Sequence, residues 1–390
     1  MKTYQLMATA ASGIEAITGN ELKKMGYNVQ VENGKAYFTG TEADIITTNL
    51  WQRTADRIKI VFGKFEAKTF DDLFEQTKAL PWEQILPMDA EFPVSGKSQK
   101  STLYSVPDCQ AIVKKAIVNR LSEYYHRRTR LPESGALYPI EVAINKDEVI
   151  LTIDTSGSSL FKRGYRSEKG GAPLKENMAA ALVMLTNWFP DRPFYDPTCG
   201  SGTIPIEAAL IGLNIAPGLK RSFPSEEWNI FEEGMWDRIR NEAKAAANFD
   251  VKLDIGGSDI DPHVIAIAKS NAEKAGVADY VTFKQLALAD FTTTKEYGTI
   301  VCNPPYGERL SDQEEIEILY KEMGQVFRPL KTWSKYILTS ELLFEEFYGE
   351  RATKKRKLYN GRFRTDLFQY WGTRPPRVKK ELDASETKEK

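Results

Sequence analysis

From about residue 175 onward the chain alternates helix-like and strand-like segments. A helical run to Trp188 leads to the strand PFYD, a glycine turn and the helix TIPIEAALIG; LDIGGSD, the helix DPHVIAIAKSNAEKAG and YVTFKQL follow. YGTIVC, the helix EEIEILYKEMGQVF and KYILT extend the series, and ATKKRKLYN with RTDLFQYW closes it as an expected antiparallel hairpin. Alternation of this kind predicts an α/β fold with a parallel, doubly wound sheet and helices on both faces. Ligands then gather at the carboxyl ends of the strands.

The front of the chain reads differently. Ser12 and Glu15 are spaced as a capping box for a helix ending near Gly26, Asn33-Gly34 marks a hairpin, and Thr41 caps a second helix. RIKIVFGKF, a helix from about Thr69, the extended FPVSG, a long helix over 107–125, and the strands PIEVAIN and EVILTID complete two small α+β layers over residues 1–155. Residues 156–174, rich in glycine, serine and basic side chains, read as a linker or functional loop carrying Arg163 and Arg166. An inserted stretch from about Asn214 to Val251 reads as a helical lid on the substrate side, with plain scaffold as the equal alternative.

At 390 residues the chain calls for two or three domains. No apolar run approaches the roughly 18 residues a membrane span needs, so a cytoplasmic protein is expected. Cys109, Cys199 and Cys302 are far apart, and His126 and His263 are the only histidines, which argues against a zinc site, a disulfide framework or a serine–histidine triad. No metal is expected.

The motifs fall at expected strand ends. DPTCGSGT at 196–203 pairs a strand-terminal acid with Gly200 and Gly202, which let the backbone turn tightly and approach a ligand before a helix starts. It is neither GxGxxG nor a Walker loop. Asp259 ends the next strand, where it can accept a ribose diol, and Asp290 ends the third, where an adenine amino group lies. Asp261 reads as a helix cap. At the fourth strand end stands NPPYGERL, 303–310. Two prolines fix φ and remove two donors, and they force Asn303 extended. The result is a rigid set of acceptors beside an aromatic face.

Charge is unevenly spread although the net is −1. Residues 351–380 hold eleven Lys or Arg against the single acid Asp366, with Tyr359, Phe363, Phe368, Tyr370 and Trp371 between them. Arg127, Arg128 and Arg130 form a second basic stretch after an expected helix. The first pattern can attract phosphate and stack bases, and the second is an electrostatic patch; a solvated hairpin and a helix C-terminus are the plainer explanations.

DPTCGSG, GSDIDP, Asp290 and NPPYGERL together resemble the ordered motifs of class I S-adenosylmethionine-dependent methyltransferases that modify exocyclic amines. NPPY alone arises by chance in roughly one chain in a thousand of this length. KRGYRSEKGGAPLKENMAAALV, the NIAPGL insert and KLYNGRFRTDLFQY narrow the resemblance to THUMP-domain RNA methyltransferases, most of all the bacterial group assigned to guanine-N2 methylation of 23S ribosomal RNA. The resemblance implies a ferredoxin-like domain over 1–64, a THUMP domain over 65–155, a linker over 156–174, a methyltransferase domain over 175–380 and a charged tail. Some members carry a second methyltransferase domain, for which this chain is too short. It implies S-adenosylmethionine held by Asp196, Thr198, Cys199, Gly200, Ser201, Gly202, Asp259, Ile260, Asp290 and Asn303. Asn303 Oδ1 and the Pro304 carbonyl then accept the N–H bonds of the amine, freeing its delocalised lone pair, while Tyr306 stacks on a splayed-out base. Arg127, Arg128, Arg130, Arg163, Arg166 and Arg309 are the expected RNA contacts.

Transfer RNA is the runner-up substrate, and adenine-N6 methylation of DNA or RNA and glutamine methylation of proteins share the NPPY geometry. Cysteine-based carbon methylation is disfavoured, because Cys199 and Cys302 read as small buried residues. A non-catalytic RNA-binding assembly protein is the alternative from another class.

Overall fold

The computed structural model describes residues 2–166, 174–306, 313–361 and 363–376. The front half runs β1 (Tyr4–Ala10), α1 (Glu15–Lys24), β2 (Gln30–Glu32), β3 (Lys35–Gly40), α2 (Glu42–Trp51) and β4 (Ala55–Glu66). It continues with α3 (Phe70–Ala79), β5 (Val94–Gln99), α4 (Val106–Tyr124), β6 (Ile140–Asn145) and β7 (Glu148–Asp154). Local signals set most of these boundaries. Asn33-Gly34 turns the β2–β3 hairpin with Gly34 at φ +75°, and the Asp44 carboxylate accepts the Thr41 N–H at 2.7 Å to start α2. The expected Ser12–Glu15 capping box does not form. Glu15 instead accepts from the Gly13 and Gly34 N–H groups at 2.8 and 3.0 Å, tying the helix start to the hairpin.

The two layers expected in the front half are one seven-stranded sheet, ordered β2-β3-β1-β4-β7-β6-β5. The cause is β4: at twelve residues it is long enough to pair antiparallel with β1 along one edge and β7 along the other. No unpaired edge remains between the two modules.

The second half comprises α5 (Glu176–Met184), β8 (Phe194–Asp196), α6 (Thr203–Gly212), α7 (Met235–Ala245), β9 (Ile255–Asp259), α8 (Pro262–Ala275) and β10 (Val281–Gln285). Then come β11 (Thr299–Cys302), α9 (Gln313–Phe327), β12 (Ser334–Thr339), α10 (Phe344–Tyr348), β13 (Lys354–Asn360) and β14 (Phe363–Tyr370). The sheet order is β10-β9-β8-β11-β12-β14-β13. It is parallel from β10 to β12 and ends in the antiparallel β13–β14 hairpin, which makes it mixed. Residues of α5, α6 and α8 build an apolar core on one face, and those of α9 and α10 build another on the opposite face.

The insert is not a lid. Phe223, Trp228, Trp236 and Ile239 are buried in the same core as the front sheet, Trp228 stacks on Tyr138 at 4.6 Å, and its indole N–H donates to the Leu137 carbonyl at 2.8 Å. Each large ring buried this way contributes on the order of 4 kcal/mol by transferred area. The apolar side chains therefore hold it against the front half as scaffold. Conversely, Ile14 and Ile17 beside and on α1 enter the core of the second sheet.

Candidate active site

β8 is the point where the strand order reverses, with β9 on one side and β11 on the other. A crevice at such a point is where open α/β sheets take ligands. Asp196 ends β8, and Asn303 follows β11 on the neighbouring strand; register pairs Ile300 with Tyr195, so the two meet at the same end of the crevice. The Cys302 thiol, immediately before Asn303, lies beside Asp196 and the Thr198 hydroxyl, and burial pushes it well above the ordinary thiol range.

The glycine loop is held from below and behind. Asp196 is 1% exposed, and its carboxyl accepts the Thr198 N–H at 3.1 Å. Burial, with the Asp259 charge next to it, pushes this carboxyl well up. The Asp196 carboxyl thus braces the loop from within the core. Cys199 N–H donates to the Ser258 carbonyl at 2.9 Å, and Gly200 N–H to Asp259 Oδ2 at 3.0 Å. Asn271 Nδ2 of α8 donates to the Ser201 carbonyl at 3.0 Å. Gly202 sits at φ +79°, and a Cβ there meets Phe283 at 2.7 Å and Ala268 at 2.9 Å, so only glycine fits. Gly200, at φ +51°, has open space where its Cβ points. An adenosyl group fits this cradle: bare backbone at Gly200, a carboxylate at Asp259, and the 70% exposed side chain of Ile260 as an apolar platform. Asp259 Oδ1 accepts from Asp261 N–H at 3.1 Å and Oδ2 from Gly200, leaving each oxygen a second lone pair for a diol.

Asp290 is not a strand end. β10 stops at Gln285, where Leu286 N–H makes the last ladder bond to the Asp259 carbonyl at 3.0 Å, and Asp290 is exposed in a single 3₁₀ turn, Leu288–Asp290. Asp261 caps α8 as expected, accepting from His263 N–H at 2.8 Å.

At the Asn-Pro-Pro-Tyr turn, Asn303 is partly exposed and Pro304 is buried. Among the described residues no donor reaches the Pro304 carbonyl. The Tyr306 hydroxyl donates to Asn303 Oδ1, so the acceptor expected to meet an amine is held by the tyrosine in this conformation. Cys199 and Cys302 are 7% and 0% exposed with thiols raised by burial, as the reading of them as inert core residues requires.

The basic candidates divide. Arg163 is 3% exposed: it pairs with buried Glu207 of α6 at 3.4 Å and donates to the Arg53 and Leu160 carbonyls. Tyr165 adds its hydroxyl to Glu207 at 3.1 Å. The expected phosphate contact at Arg163 is thus a structural ion pair, since a guanidinium walled off from solvent cannot meet RNA. Arg166 turns inward as well, donating to Thr203 Oγ1 at 2.5 Å and the Leu174 carbonyl at 3.1 Å and facing Glu176 at 3.8 Å. Arg128 and Arg130 are exposed after α4, and Arg127 is half-buried. Arg309 lies outside the described residues. In the β13–β14 hairpin, Phe368 and Tyr370 are core, whereas Phe363 and Trp371 are 69% and 51% exposed.

Sequence reasoning did not single out Glu207, Asn271, Tyr320 or Thr339. A lone glutamate inside TIPIEAALIG and a lone asparagine on the apolar face of α8 were available signals, because a polar residue there needs a buried partner.

The fold and this cradle define a class I S-adenosylmethionine-dependent methyltransferase. Residues 163–369 match the family described as RMKL-like, methyltransferase domain; residues 5–59 match the RlmL ferredoxin-like domain and 67–154 the THUMP domain. The chain belongs to this THUMP-containing RMKL-like methyltransferase family. It is 55% identical over 98% of its length to all of YpsC of Bacillus subtilis, provisionally named an RNA methyltransferase. It is 34% identical over 91% of its length to a Shewanella baltica protein named ribosomal RNA large subunit methyltransferase K/L, of which it spans 51%. The crystal structure of SMU.472, provisionally a methyltransferase and complexed with SAH, shares 53% identity over 96% of this chain and all of that one, with a TM-score of 0.93. A Listeria monocytogenes structure, provisionally named an N6-adenine-specific DNA methylase, shares 64% identity over 96% of this chain and 97% of that one, with a TM-score of 0.92.

Proposed function

We propose that the chain methylates the exocyclic N2 amine of a guanosine in structured RNA, with large-subunit ribosomal RNA as the substrate. The observation that carries this reading is the pair of acceptors, Asn303 Oδ1 and the Pro304 carbonyl, on a donor-poor turn at the strand-order reversal beside the cofactor loop. Bound S-adenosylmethionine supplies an electrophilic methyl group. The chain's own part is to accept the two N–H bonds of the amine, so that the nitrogen lone pair leaves the plane of the base, and to meet the developing positive charge with fixed dipoles. Tyr306 releases Asn303 and its ring stacks on the base. As the nitrogen–methyl bond forms, the donor's sulfur–methyl bond would break to leave the neutral thioether, and the cationic nitrogen would be acidic enough to give up one proton to solvent, so no strong base is needed and the buried thiols supply no nucleophile.

RNA is favoured by the THUMP match and by the names of the Bacillus and Shewanella relatives. Adenine-N6 is the second reading, favoured by the name of the Listeria protein. Mass-spectrometric mapping of methylated nucleosides in ribosomal and transfer RNA from cells with and without the gene separates them. The account expects loss of N2-methylguanosine at one ribosomal position. Loss of N6-methyladenosine, or of a transfer-RNA modification, contradicts the substrate assigned here.

A further inference from the structure

A turn with two prolines lacks two backbone donors, so its carbonyls must be fixed from outside. Three hydrogen bonds do this for Pro305. Glu341 N–H donates to Thr339 Oγ1 at 3.0 Å, Thr339 Oγ1 and Tyr320 Oη lie 2.7 Å apart, and Tyr320 donates to the Pro305 carbonyl at 3.1 Å. The direction is fixed by chemistry. A phenol has one hydrogen and a carbonyl can only accept, so the Tyr320 hydrogen goes to Pro305 and the Thr339 hydrogen goes to Tyr320.

Both side chains are fully buried. The Tyr320 ring meets Phe344 edge-on at 4.9 Å, and Phe344 in turn packs on Tyr348 and Phe368 at 5.4 and 4.8 Å. Burial pushes the Tyr320 phenol up to about 12, so it keeps its hydrogen throughout the physiological range.

We infer that Tyr320 and Thr339 are positioning residues for methyl transfer: their relay pins the Pro305 carbonyl and so aims the Asn303 and Pro304 acceptors at the substrate amine. Fixing the Pro305 carbonyl fixes the plane of the next peptide and hence the direction from which Tyr306 reaches Asn303. The Pro304 carbonyl, without a protein donor among the described residues, stays available. This inference rests on the amine-methylation reading above.

The test uses the full chain and unmethylated total RNA from cells lacking the gene. Tyr320→Phe removes only the hydroxyl and keeps the ring against Phe344. Turnover should fall about tenfold, the effect of losing one buried hydrogen bond in the transition state, with RNA KM and cofactor affinity changed by less than about twofold. Thr339→Val should match it, Thr339→Ser should restore wild-type turnover, and the Tyr320→Phe/Thr339→Val double variant should be no slower than either single. Full turnover in Tyr320→Phe, additive losses in the double variant, or a parallel loss of cofactor affinity overturns the inference. A second arm needs no substrate. Crystals of Tyr320→Phe with S-adenosylhomocysteine should show the 303–306 turn displaced or in two conformers, and a turn superposing on the wild type overturns the relay. Failure of the underlying reading looks different: Asn303→Ala then turns over normally on the same RNA, whatever Tyr320→Phe does.

Discussion

Tyr306 carries two separable tasks, a hydroxyl that holds Asn303 Oδ1 and a ring that meets the base. Tyr306→Phe keeps the ring and frees the acceptor, so turnover should stay within about threefold of wild type. Tyr306→Ala removes a stacking surface and should cost roughly 1–3 kcal/mol in kcat/KM, about 5- to 150-fold. Steady-state kinetics on unmethylated RNA checks both, and equal losses in the two variants contradict the division of tasks. The residue scale is also where the sequence was most legible. The acids and glycines of DPTCGSGT, Asp259 and the proline turn announce themselves by type and spacing, because their chemistry lies in the backbone they permit. Arg163 and Arg166 were misread because a basic residue in a glycine-rich segment looks solvated, and only the fold brings Glu207 and Glu176 against them.

At the scale of the element, β12 carries a buried cation. Lys335 is 6% exposed, its ammonium donates to the Leu330 carbonyl at 2.7 Å, and burial lowers it from 10.5 to about 8. Below about 8 both folded and unfolded chains hold the proton and the folded state bears the full desolvation cost, at most roughly 3 kcal/mol. Between about 8 and 10.5 the unfolded chain keeps a proton that the folded chain has released, so stability rises with pH across that window. Lys335→Met should raise Tm by a few degrees at pH 7, with the advantage shrinking as pH climbs through the window. Calorimetry of the two proteins side by side measures it, and a pH-independent difference contradicts it. Helices and strands themselves were largely readable from periodicity and caps. The failures were local competitions: Glu15 found two backbone donors better placed than its own capping position, and Asp290 fell beyond the point where β10 gives up its ladder.

The whole molecule is two seven-stranded sheets whose cores interpenetrate, with α1 reaching into the second and the 214–251 insert reaching into the first. That exchange was illegible in the sequence, because an apolar stripe shows that a face is buried but not against what. The exposed Arg128 and Arg130 follow α4, in the half of the chain that builds the front sheet. If that half docks RNA by its phosphates, reversing both charges should weaken binding and lower the slope of log affinity against log salt by about one unit per lost contact, with little change in kcat. An unchanged slope places docking elsewhere. The central claim, that the Asn303 turn accepts the substrate amine beside the cofactor, is tested most directly by single-turnover methylation with Asn303→Ala, alongside calorimetric titration of S-adenosylmethionine. The account predicts that methyl transfer drops by at least about a hundredfold, as for removal of a fixed transition-state acceptor, while cofactor affinity stays within about threefold of wild type. Undiminished transfer, or transfer and cofactor affinity lost together, contradicts it.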